Sequence, residues 1–136
     1  MGYVPNELLS RLVGDRLVAV TFVLDDYMQL QFDDASMNVE AWPMVTYDDR
    51  TWRHTDPGFS DALRHLCAKT VVDTSEASGD GLRIMFEAGE IHINPARRED
   101  VFHEIAHLQF GGTPGSTVPG EWMCWRPGEE SFEHLA

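Results

Sequence analysis

The residues with the clearest chemical potential are two histidines and a glutamate in the string His103-Glu104-Ile105-Ala106-His107. On a helix, histidines at positions i and i+4 lie on one face, and both can bind one zinc ion. Glu104 would then act as general base and polarise a zinc-bound water for peptide hydrolysis. This pattern predicts a small zinc-dependent metallopeptidase with His103 and His107 as metal ligands.

A catalytic zinc site needs a third protein ligand, and the sequence does not supply one at a characteristic spacing. In the longer version of this zinc motif a glycine and a third histidine follow, but Phe110 and Thr113 occupy those positions. The missing ligand would have to come from the C-terminal tail. The candidates there are Glu129, Glu130, Glu133 and His134.

The elements that would position these residues are indicated by an internal repeat of 54 residues. The apolar and polar positions of a unit at about 6–41 agree with those of a unit at about 60–95. For example, MQLQF at 28–32 falls on LRIMF at 82–86. A fixed-period match of this kind defines a structural unit, so the sequence predicts the same unit twice. The zinc-like string lies outside both copies.

Each unit is predicted to contain a helix, a strand and a β-hairpin. Alternating apolar and polar residues indicate an antiparallel sheet with one buried side. Phe32, Phe86, Leu30 and Ile84 are expected on that buried side, in the core.

The remaining segments complete the predicted fold. Residues 43–58 are interpreted as an irregular link, and 98–110 as a third helix at the start of a C-terminal helix and tail, 96–136. The expected fold is α+β in a single domain, 1–136. Two αβββ units form an antiparallel sheet of about six strands, with the C-terminal helix covering part of it.

Composition restricts the partners of the chain. Its 136 residues carry 23 acidic and 10 basic side chains, a net charge of -13. This charge would repel nucleic acid and anionic membranes, and it suits a partner of basic character. Cys67 and Cys124 are too few for a disulfide framework. Neither a signal peptide nor an apolar membrane span is indicated, which predicts a cytoplasmic protein.

Several strings resemble a group of small bacterial proteins of unknown function, common in actinobacteria. They are LRIMFEAGEIHINP at 82–95, EIA at 104–106, WMCWRPGE at 122–129, and Phe132. In that group the EIA stretch does not lie between two histidines. The resemblance therefore implies a fold, no particular activity, and a zinc-like string that arises by coincidence. A looser likeness, in charge and architecture alone, is to small bacterial immunity proteins.

The leading functional hypothesis is a non-catalytic binding protein, of which an inhibitor or immunity-type module is one form. It requires no cofactor, whereas the alternative, the metallopeptidase, requires zinc. Because tryptophan is favoured at binding hot spots, Trp52, Trp122 and Trp125 are candidates for partner contact. The alternative interpretation of these three side chains is that they cover the core.

Overall fold

The computed structural model describes residues 4–24, 26–101, 103–111 and 121–136. Within these ranges ten strands form two antiparallel sheets of five strands each. The strands are β1 (Leu17–Val23), β2 (Tyr27–Phe32), β3 (Ala35–Val39), β4 (Met44–Tyr47), β5 (Arg50–Trp52), β6 (Val71–Ala77), β7 (Gly81–Phe86), β8 (Gly89–Ile93), β9 (Ala106–Phe110) and β10 (Glu121–Trp125).

Helical structure is limited and lies beside the sheets. The α-helix α1 (Phe59–Leu66) has its buried residues at helical spacing, which gives it one apolar face. Three 3₁₀ helices cover Leu9–Leu12, Arg98–Asp100 and Glu130–Leu135. Among the described residues, none of the helices is long and apolar enough to cross a membrane.

The first sheet has the order β1-β2-β3-β9-β10, and the second has the order β5-β4-β8-β7-β6. The strand pair β4-β5, which follows β3 in the chain, therefore joins the sheet that contains β8. The pair β9-β10, which follows β8, joins the sheet that contains β3. Each sheet is thus built from both halves of the chain.

The strands β1, β2 and β3 have the same lengths as β6, β7 and β8 and precede them by 54 residues. Backbone hydrogen bonds near the starts of β1 and β6 follow the same offset. The amide of Gly14 donates to the carbonyl of Val71 at 2.9 Å, and that of Ala68 donates to the carbonyl of Leu17 at 2.7 Å. Exchanging the two halves of the chain converts one of these bonds into the other.

The apolar faces of both sheets form one hydrophobic core. Phe32 and Phe86 are 5% and 4% exposed, and Leu30 and Ile84 are fully buried. The expected core positions of these four side chains are confirmed. Their burial follows from the pleat, which sends alternate side chains of a strand to the same side.

The predicted fold class, α+β with antiparallel pairing, is confirmed, but the predicted sheet of about six strands is wrong. Residues 43–58 are not an irregular link, because they contain β4 and β5. The sequence Met44-Val45-Thr46-Tyr47 is rich in the β-branched and aromatic residues that favour strands. It pairs with β8, and the turn at Asp48-Asp49 returns the chain as β5.

The predicted C-terminal helix at 98–110 is also wrong. After the 3₁₀ helix the chain is extended and forms β9. Ala106 and Leu108 are buried on the core side, where they pair with Val39 and Met37 of β3. The apolar positions of the segment alternate with polar ones, and pairing with the free edge of β3 satisfies this two-residue period.

Candidate functional site

The zinc-like string does not form the arrangement predicted for it. His107 lies in β9, whereas His103 and Glu104 precede that strand. The two histidines therefore do not share a helical face, which was the geometric basis for a common metal ion. His103 is exposed and His107 is half-buried.

The described residues do not supply a metal site elsewhere. Within residues 4–24, 26–101, 103–111 and 121–136, no three His, Cys, Asp or Glu side chains lie together in an arrangement that could hold a metal ion. The tail candidates for a third ligand lie in or beside the last 3₁₀ helix, which packs against β7 and β10. Thr113, at the motif's third-histidine position, lies outside the described residues.

His107 belongs instead to a polar surface, which we call the outer face of the first sheet. Neighbouring strands place a row of side chains there, each paired with the next across the sheet. The amide Nδ/ε groups are joined at one point of this row, where Gln29 Nε2 donates to Asn38 Oδ1 at 3.0 Å. The row consists of Thr21, Gln29, Asn38, His107 and Cys124.

Trp122 forms the apolar edge of this face. It lies on the edge strand β10 and is 63% exposed. Its indole contacts the imidazole of His107 edge-to-face, with the ring centres 5.6 Å apart. His107 Nε2 is buried and makes no hydrogen bond within the described part of the chain. The contact with Trp122 therefore helps to fix the orientation of this imidazole.

Cys124 is buried beneath this face and is not an activated nucleophile. Burial, and then the neighbouring carboxylate of Glu104, raise the pKa of its thiol to about 11. Arg126 opposes this shift, and its guanidinium lies 3.9 Å from Glu104. Since the thiolate is the nucleophilic form, a thiol with this pKa is inert at neutral pH.

One end of the outer face is acidic. Burial raises the pKa of Glu40, and the nearby carboxylates of Glu104 and Asp26 raise it further. Like charges gathered around a partly buried carboxylate disfavour its ionised form. This end of the face therefore favours a ligand that supplies positive charge.

The three tryptophans named as contact candidates occupy different environments. Trp122 is exposed, and Trp52 is half-buried with its indole against Gly58. Trp125 is fully buried, so its expected exposure is wrong. Its indole lies between the two sheets, where Nε1 donates to Glu76 Oε2 at 2.8 Å.

Sequence reasoning did not identify the contributions of Gln29, Asn38 and Cys124 to this face. Gln29 and Asn38 were visible as polar positions of alternating strands, but their cross-strand contact depends on register. The pairing of Cys124 with His107 depends on β9 and β10, which were not predicted. No protein-family model, no curated protein and no solved structure matches the chain.

Proposed function

We propose that this protein is a non-catalytic binding protein that engages a basic protein partner through the outer face of the first sheet. The observation that carries the proposal is the exposure of Trp122 at the edge of a polar sheet surface. Tryptophan combines a large apolar area with a hydrogen-bond donor and is enriched where partners bind. The amides of Gln29 and Asn38 would supply polar contacts beside it.

Charge supports a basic partner. The whole chain has a net charge of -13, and the acidic end of the face is formed by Glu40, Glu104 and Asp26. Complementary charge increases the rate of association and excludes partners of the same sign. The prediction from composition and the placement of these side chains therefore favour the same class of partner.

The chemistry of the face supports binding over nucleophilic catalysis. Its thiol, Cys124, has a pKa near 11 and is therefore held in the unreactive form. His107 packs against Trp122 and is not paired with an activated nucleophile on this face. An inhibitor or immunity-type module acting in the cytoplasm is the form of binding protein that we propose. The internal duplication and the likeness to small bacterial proteins are part of the same proposal.

The proposal is tested by partner capture from a lysate of the native organism with three purified forms of the protein. They are the wild type, Trp122→Ala and Val72→Ala. Val72 is the matched control because it is an apolar side chain, 53% exposed, on the edge strand β6 of the other sheet.

We expect a partner captured by the wild type and by Val72→Ala, and lost or strongly reduced with Trp122→Ala. Its retention should fall as salt is raised, because exposed charge pairs are screened. Equal capture by both variants, or no partner above background at low and moderate salt, would contradict the proposal. Circular dichroism of each variant establishes that a loss of capture is not a loss of folding.

A further inference from the structure

A second surface feature lies away from the outer face of the first sheet. It is a cleft of about 410 Å³ between the segments 41–44, 53–55 and 94–100, which we call the Trp42 cleft. This volume is in the range of sites for small molecules. The cleft is separate from Trp122 and from the row of side chains around His107.

One wall of the cleft is a stack of aromatic rings. The imidazole of His54 lies parallel to the indole of Trp42, with the ring centres 5.0 Å apart and the planes at 9°. On the core side, Phe22 and Phe59 each lie within 6.4 Å of the Trp42 ring centre. Since His54 is exposed, it is the open end of the stack. A flat ligand can pack against such a wall.

The base of the cleft is apolar and conformationally restricted. Ala41, Pro43 and Pro95 line it and are buried. The ring of proline fixes one backbone dihedral, so these segments lose little freedom when a ligand binds. A site with this base is largely formed before binding, which favours affinity.

The charge of the cleft is opposite to that of the whole chain. Arg53 and Arg97 both line it, whereas Asp100 is the one carboxylate among the described lining residues. Asp100 pairs with Arg97, Oδ1 to Nη2, at 3.2 Å.

Arg53 is the cation that this arrangement leaves unpaired. Asp56 accepts a hydrogen bond from the backbone amide of Arg53 at 2.8 Å. Within the described residues, however, no carboxylate lies within 4.0 Å of the Arg53 guanidinium. Guanidinium binds carboxylate and phosphate groups through paired hydrogen bonds.

We infer that the Trp42 cleft binds a small planar organic anion. Its carboxylate or phosphate group lies on Arg53, and its ring packs against His54 at the end of the stack. A planar group without charge would use only the wall, and an inorganic anion would use only the guanidinium. The ligand class is therefore set by the two features together.

Three probes of similar ring size test this inference in NMR titrations of the full chain. Benzoate and phenyl phosphate carry the charge on the ring, and benzamide is the neutral counterpart. The signals to follow are the indole N–H of Trp42 and the imidazole protons of His54. The variants are Arg53→Ala and, as the matched control, Arg64→Ala, which removes an exposed arginine of α1 outside the cleft.

We expect at least one of the two anions to shift the Trp42 and His54 signals at lower concentration than benzamide. Arg53→Ala should weaken that binding about tenfold or more, as for loss of a charged hydrogen bond, and Arg64→Ala should not. Benzoate and phenyl phosphate are compared to decide between carboxylate and phosphate. The inference is overturned if neither anion binds more tightly than benzamide, or if the two arginine variants behave alike. Trp122→Ala should leave this binding unchanged, so failure here is distinct from failure of the partner proposal.

Discussion

The indole of Trp125 donates a hydrogen bond of 2.8 Å to the carboxylate of Glu76, and this bond joins the edge strands β10 and β6 of the two sheets. The same carboxylate accepts hydrogen bonds from the backbone amide of Asn6 at 2.8 Å and from the hydroxyl of Ser131 at 3.0 Å. A buried carboxylate is stable in a protein only when donors surround it. Glu76 therefore connects both sheets to the two terminal segments of the described chain.

Replacing Glu76 by alanine should lower the free energy of unfolding by about 2–4 kcal/mol, because buried donors lose their acceptor. Urea unfolding followed by circular dichroism measures the change. Glu87→Ala, at an exposed turn, is the control and should change stability by less than about 0.5 kcal/mol. Equal effects of the two substitutions would contradict the role assigned to Glu76.

Truncation of Phe32 or of Phe86 to alanine should each cost about 3–5 kcal/mol, since both rings are almost fully buried and would leave a cavity. The two residues occupy the same position, 54 apart, at the ends of β2 and β7. Chemical denaturation of each variant gives the value. Val18→Ala, at an exposed apolar position, should have little effect. A small loss at either phenylalanine would show that its ring is not in the core.

Two neighbouring glycines allow backbone strain to be separated from steric overlap. Gly79 and Gly81 both have φ near +80°, but a Cβ at Gly79 would meet no atom within 4 Å. A Cβ at Gly81 would overlap the carbonyl oxygen of Ile93. We expect Gly79→Ala to destabilise by about 1 kcal/mol and Gly81→Ala by at least about 2 kcal/mol more, measured by thermal unfolding. Similar values for both would contradict the close approach at Gly81.

The acidic end of the outer face should make stability depend on pH. The pKa of Glu40 is raised, chiefly by burial, so its ionised form is less favourable in the folded state than in the unfolded state. Its contribution to stability is complete below the unfolded pKa and is lost as the pH rises through the folded pKa.

Glu40→Gln should therefore be more stable than the wild type at pH 7. The difference should disappear as the pH falls below the usual carboxyl range. Glu87→Gln removes the same charge at an exposed turn and is the control. Unfolding curves from pH 3 to pH 8 for the three proteins test this; a gain at acid pH only would reverse the sign of the argument.

Local patterns were sufficient to predict the hairpins but not the assembly of the sheets. Alternation in β2, β3, β7 and β8 identified the core side correctly, as the burial of Leu30 and Ile84 shows. The segment Ala106–Phe110 was misassigned because short apolar patterns fit a helix or a strand. Its partner, β3, lies more than 60 residues earlier in the chain, so the contact that decides its conformation is not local.

The same limit applies to the candidate site. The spacing of His103 and His107 suggests a shared metal only if the segment is helical. Trp122 and Trp125 are three residues apart in sequence, yet one is exposed and the other is buried. Burial of Trp125 depends on its contact with Glu76, 49 residues away, and no local signal distinguishes the two rings.

The exchange of strand pairs between the two sheets ties the halves of the chain to each other. The pair β4-β5 belongs to the first half in sequence and to the second sheet in space, and β9-β10 has the opposite assignment. A protease that cut the exposed turn at 53–58 would leave two fragments, each holding strands of the other's sheet. The fragments would remain entwined or unfold together, because neither one carries a complete sheet to fold around.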